Sequence, residues 1–139
     1  MIDSPVADVW EVVSDPRTQP DWWPEVVRID AADRVSEGDE YVHTAKMVRF
    51  VDAIDSIWVV ERLAELKEAQ FRCTMTGSWA RFTLTPAQDE TFVEMEAGID
   101  PTSWRWRAAE PFLGPHYKRW LIAALDALPE AIHSRHAAV

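Results

Sequence analysis

Cysteine is nearly absent from this chain. Cys73 stands alone, which excludes an intramolecular disulfide and a cluster of thiolate metal ligands, and it reads as a small apolar strand residue. Glycine is almost as scarce: four residues, none grouped in a loop motif, so a glycine-rich phosphate cradle is excluded. There is no Gly-x-Ser-x-Gly elbow and no thiol beside a base, so nucleophilic catalysis has no support. Basic side chains are in deficit, 14 against 24 acidic for a net charge of −10. A phosphate backbone or anionic membrane would be repelled on average, and no nucleic-acid partner is expected. No apolar run reaches the roughly 18 residues a bilayer crossing needs, so no transmembrane segment is expected. The first five residues lack the basic-then-apolar pattern of a secretory signal, which makes the cytoplasm the expected compartment.

What is present in excess is tryptophan, eight of 139 residues. Each buries a large area while keeping one N–H donor that wants a partner. Four of them form the pairs Trp22-Trp23 and Trp104/Trp106, both in proline-bounded segments. Aromatics outside regular helix or strand faces line a cleft or close its mouth more often than they fill a core layer.

The hydrophobic period changes along the chain in a way that fixes fold class. Ser4 is placed to cap a helix, with Pro5 at its first position. Val6, Val9, Trp10 and Val13 then form one apolar stripe, predicting a helix over residues 5–14. Asp15-Pro16 stops it. Alternation with a period of two predicts strands over 25–34 and 40–49, joined at Ser36-Glu37-Gly38-Asp39. Residues 52–66 are read as a strand because Ile57, Trp58, Val59 and Val60 form a β-favouring block. Residues 70–76, 79–85 and 91–100 complete the set, with turns at Gly77-Ser78 and over 86–90. A last helix is predicted over 112–133, where Leu113, Tyr117, Trp120, Leu121, Ala124, Leu128 and Ile132 keep helical spacing. Helix, then successive antiparallel strands, then one long helix is an α+β order, and no linker divides it, so one domain over 1–139 is expected.

Four segments resemble the START-like superfamily, also called SRPBCC or Bet v 1-like, and in particular its polyketide cyclase/dehydrase-related branch. Ser4-Pro5-Val6-Ala7-Asp8-Val9-Trp10-Glu11-Val12-Val13-Ser14-Asp15-Pro16 resembles the family's opening, with Trp22-Trp23-Pro24 at its aromatic connector. Glu37-Gly38-Asp39 is similar to the turn before its third strand. Gly77-Ser78-Trp79-Ala80-Arg81-Phe82-Thr83-Leu84-Thr85-Pro86 is similar to the strand after its mid-sheet turn, and the final helix agrees. The resemblance implies a helix-grip fold: a curved antiparallel sheet wrapped around the long C-terminal helix, enclosing a cavity for lipids, sterols or polyketides. Members usually carry a full strand before the opening helix. Here three residues precede Ser4, so a missing or stub first strand and an exposed sheet edge are expected, and such an edge is a route to a homodimer.

Within that fold the expected ligand lining comes from three places. The connector gives Trp22 and Trp23. The strands give Tyr41, His43, Met47, Met75, Phe82 and Met95. The final segment gives Trp104, Phe112, His116 and Trp120. His43 shares the apolar face of its strand with Tyr41, Ala45 and Met47. With Arg49 and His116 it is a candidate for polarising or proton-moving chemistry, but none matches a catalytic motif and no catalytic residue is assigned. Arg72, alternating against Phe71 and Cys73, is expected to face solvent, and His133 and His136 to be solvated. No His or carboxylate pair has chelating spacing, so neither metal nor cofactor is expected. The leading function is binding of a small hydrophobic molecule, lipid- or polyketide-like. The alternative is a cyclase, aromatase or dehydratase using the same cavity. An interaction protein whose acidic surface meets a basic partner comes third.

Overall fold

The computed structural model describes residues 1–46, 52–100 and 104–137, with side chains described over 115–136 of the last stretch. Helix α1 (Val6–Val13) leads through a 3-10 turn, Pro16–Thr18, and the single helical turn α2 (Gln19–Trp22) into six strands: β1 (Val26–Asp30), β2 (Glu40–Ala45), β3 (Ile54–Ala64), β4 (Glu68–Cys73), β5 (Ser78–Ala87) and β6 (Glu90–Ile99). Helix α3 (Trp104–Ala137) follows. The strands form one antiparallel sheet in sequence order, curled as a half-barrel that holds α3, which is the helix-grip arrangement. Meander order follows from short connections, since antiparallel neighbours can be joined by tight turns. Residues 52–66 are a strand as the β-favouring block implied.

Four local expectations are corrected. Ser4 does not cap α1: the N-cap is Pro5 and no side chain caps the helix. Ser4 is instead buried, and its carbonyl accepts a 2.8 Å bond from Thr91 Oγ1. The cause is the paired backbone of Ile2 and Thr91, with N–H to carbonyl bonds of 2.8 and 2.9 Å in the two directions. That bridge is a one-residue stub of strand on β6. Beyond it, β6 ends the sheet among the described residues. The final helix also begins earlier than residue 112. Residues 104–110 contain no glycine or turn former, and alanine, arginine and glutamate favour helix, so the Trp104/Trp106 stretch lies in α3 rather than in an irregular segment. His136, for its part, is not free in solvent but stands 3.1 Å from Asp8 Oδ1.

Pro86 and Ala87, expected in a turn, belong to β5 and pair with Thr91 and Glu90. This is tolerated because β4 pairs with β5 only over 79–83, so Pro86 has no ladder bond to donate on that side. The turn tightens to Gln88 and Asp89, with Gln88 at φ 61°.

The dry core lies where α1 and the C-terminal half of α3 meet the middle of the sheet. Val9, Val12, Ala124, Leu128 and Ile132 from the helices and Val60, Phe71 and Phe82 from the strands are fully buried. Each large side chain so removed from water contributes about 1.5–3 kcal/mol. On the opposite face Arg72 is held by Glu61 at 2.5 Å and Asp100 at 3.1 Å, in accord with its outward placement.

Candidate functional site

The sheet's inner face is not evenly filled, because side-chain size falls from one half to the other. Phe71, Phe82, Leu84 and Val93 pack one half. In the other, Ala80 lies directly opposite Ala97 across β5 and β6, and His43 lies opposite Ser56 across β2 and β3. Cys73 ends β4 and Ala45 ends β2. These short side chains leave a cavity of about 400 Å³ between the sheet and α3, and its lining is chiefly apolar.

Trp23 is its hub. It follows α2 in extended backbone, with φ −79° and ψ 124°, so the chain turns there and sends the indole inward. Its ring lies edge-on to Trp120 at 5.1 Å, Trp58 at 5.7 Å and Phe71 at 5.9 Å, within the range favoured by aromatic pairs. Its Nε1 has no partner among the described residues. Trp22 differs: its N–H donates to Thr18 Oγ1 at 3.1 Å and its ring meets Phe82 in the dry core. Adjacent tryptophans therefore serve opposite purposes.

Two polar groups stand on the cavity wall. His43 is stacked on Trp58 with ring centres 4.7 Å apart, and neither ring nitrogen has a hydrogen-bond partner among the described residues. Burial pushes its pKa down from 6.5 to about 4, so the imidazole is neutral at neutral pH. The second group is a hydroxyl chain on the α3 side. Thr76 Oγ1 donates to Ser78 Oγ at 2.9 Å, and Ser78 Oγ is 2.8 Å from the Tyr117 hydroxyl. Burial raises the Tyr117 pKa, which keeps the phenol protonated.

Among the described residues the lining also contains one carboxylate, Glu25, and a second imidazole, His116. Their side chains are half-buried, with Nε2 and Oε2 3.8 Å apart. Glu25 sits at φ 71°, an uncommon conformation for a non-glycine residue, and its carbonyl accepts from the Lys46 N–H at 2.9 Å. Ile54 and Met75, 60% and 56% exposed, also line the cavity and so mark its opening. Among the described residues no three His, Cys, Asp or Glu side chains converge as a metal site would require.

Of the residues singled out from sequence, Trp23, His43, Met75, His116 and Trp120 meet around the cavity. Trp22, Tyr41 and Phe82 lie in the packed core instead, where the Tyr41 hydroxyl accepts from Gln19 Nε2 at 3.3 Å. Met95 packs against that core rather than lining the cavity, since it lies opposite Phe82 in the filled half of the sheet. Met47 and Arg49 fall outside the described residues, as do the side chains of Trp104 and Phe112. Sequence reading missed Trp58, Ser78 and Tyr117. Trp58 lay in a segment apolar on both faces, which gives no inward direction. Tyr117 read as one more member of the helix's apolar stripe.

A family model described as polyketide cyclase / dehydrase and lipid transport matches residues 1–132. None of the curated proteins matches the chain. Among solved structures, a protein from Nitrosomonas europaea is 14% identical with a TM-score of 0.73, covering 98% of this chain and 92% of its own. A protein from Thermus thermophilus is 14% identical with a TM-score of 0.72, over 96% and 93%. An aromatase/cyclase from a Streptomyces species is 14% identical with a TM-score of 0.68, over 96% and 90%. At these identities the likeness is one of fold. No helix among the described residues is long and apolar enough to cross a membrane.

Proposed function

The chain belongs to the polyketide cyclase / dehydrase and lipid transport family, and on that premise we propose that its cavity binds a small, uncharged, largely apolar molecule. The observation that carries this reading is the opposed pair Ala80 and Ala97, which leaves space beneath Trp23 where larger side chains would have closed the core. The cavity's 400 Å³ falls within the range of about 300–1,000 Å³ typical of small-molecule sites.

The alternative, a cyclase or dehydratase acting on the held ligand, draws on the presence of an imidazole in the wall. Efficient acid–base catalysis favours a pKa near the working pH. At about 4, His43 is a weak base, which favours binding over turnover.

Native mass spectrometry of the purified protein, followed by extraction, tests the proposal. A co-purifying apolar compound of fixed mass, displaced together with a change in tryptophan fluorescence, is the expected result. Absence of any bound species, together with no fluorescence response to apolar aromatic probes, overturns it.

A further inference from the structure

The hydroxyl chain on the cavity wall has one hydrogen more than it uses. Thr76, Ser78 and Tyr117 each carry one hydroxyl hydrogen, and the chain contains two hydroxyl-to-hydroxyl bonds. Thr76 Oγ1 accepts from the Ser78 backbone N–H at 3.2 Å and donates its hydrogen to Ser78 Oγ. With Thr76 donating to Ser78, the bond between Ser78 and Tyr117 uses the hydrogen of one partner and leaves the other's free. No acceptor among the described residues takes it. All three residues line the cavity. When Ser78 donates to Tyr117, the free hydrogen is the phenol's, at the end of a chain in which each bond polarises the next.

Among its described residues the same wall has no lysine or arginine to receive an anion, and the imidazole of His116 already faces the Glu25 carboxylate at 3.8 Å. Among the described residues lining the cavity the one carboxylate is Glu25. A ligand carboxylate or phosphate would lose its hydration without gaining a counter-charge, whereas a neutral oxygen needs only the free donor.

Resting on the reading of the cavity as a ligand site, we propose that the Tyr117 hydroxyl is the docking point for an uncharged carbonyl oxygen, so that the ligand is a neutral, largely apolar ketone or ester. Ser78 and Thr76 act as positioning residues that hold the phenol's hydrogen toward the cavity. The backbone helps: Gly77 at φ 76° lets the turn between β4 and β5 bring Thr76 and Ser78 together against α3.

Equilibrium dialysis at neutral pH with three probes of one shape tests this: methyl naphthyl ketone, the isopropenyl naphthalene in which C=CH2 replaces C=O, and naphthoate. The ketone is expected to bind about five- to tenfold more tightly than the alkene, the contribution of one neutral hydrogen bond, and naphthoate more weakly than the ketone. Tyr117→Phe should bring ketone and alkene to parity with alkene affinity unchanged. Ser78→Ala, which keeps the phenol's hydrogen but removes the hydroxyl that orients it, should reduce the ketone's advantage without abolishing it. Independently of any variant, the infrared carbonyl stretch of the bound ketone should lie below its value in hexane. Equal binding of ketone and alkene to the wild-type protein, or a ketone preference that survives Tyr117→Phe, overturns the docking point while the cavity reading stands. Failure of both neutral probes to bind overturns the two together.

Discussion

His43 is a residue whose placement carries a measurable cost. An imidazole with two unpartnered nitrogens, packed between Trp23 and Trp58, is neutral in the native state and takes a proton freely only once the chain unfolds. Between pH 6.5 and about 4 the unfolded state therefore binds the extra proton, so stability rises with pH across that window and falls as the solution is acidified through it. A pKa lowered from 6.5 to about 4 corresponds to about 3 kcal/mol, fully lost near pH 4 and absent as an effect above 6.5. His43→Phe, which keeps the stacked ring and removes both nitrogens, is expected to flatten this part of the stability–pH profile. It should also raise stability at neutral pH by about 1 kcal/mol. Urea unfolding of both proteins at intervals of pH is the check, and an unchanged acid slope in the variant would show that another group controls it. The inward direction of His43 was legible from its alternation with Tyr41 and Ala45. Its lack of partners was not, because that depends on Trp58 and Ser56 arriving from another strand.

Elements were legible where a period ran long enough to declare itself, and their ends were misread where a tertiary contact decided them. The sequence pattern placed all six strands and the gripping helix. It assigned Ser4 to a helix cap, however, because Ser-Pro before an apolar stripe is a strong local signal. The bond from Thr91, 87 positions away in sequence, overrides that signal. Thr91 is fully buried and holds the Ile2 stub to β6 through its backbone and Ser4 through its side chain. Thr91→Val keeps the shape and the backbone pairing but strands the Ser4 carbonyl in a buried position. A loss of about 1–3 kcal/mol is expected, the cost of a buried polar group left unsatisfied. Faster amide exchange at Ile2 and Thr91 than at the centre of β5 should accompany it, measured by hydrogen–deuterium exchange. Stability equal to wild type would mean the carbonyl finds water instead.

At the scale of the whole molecule the cavity is a property of register, and register is what a single sequence conceals. Ala80, Ala97 and Cys73 are small residues that carry no signal of a cavity in the sequence. Only the pairing of β4, β5 and β6 sets them side by side, while Phe82, two positions along from Ala80, fills the neighbouring layer. The fold has thus left unfilled a volume that apolar side chains could occupy, and stability and binding should trade against each other there. Ala97→Leu directs a larger side chain into the space from β6, where the half-buried alanine already lines it. Filling a cavity without strain typically gains about 0.5–2 kcal/mol, so a melting temperature higher by a few degrees is expected in the ligand-free protein. Affinity for neutral naphthalene probes should fall at least about tenfold, because the ligand must then displace a side chain that packs well. A variant that is stabilised yet binds as tightly as wild type would place the binding site outside the space beneath Trp23. One that is destabilised would show that the alanines are already closely packed, with Trp23 and Trp120 rather than empty volume above them.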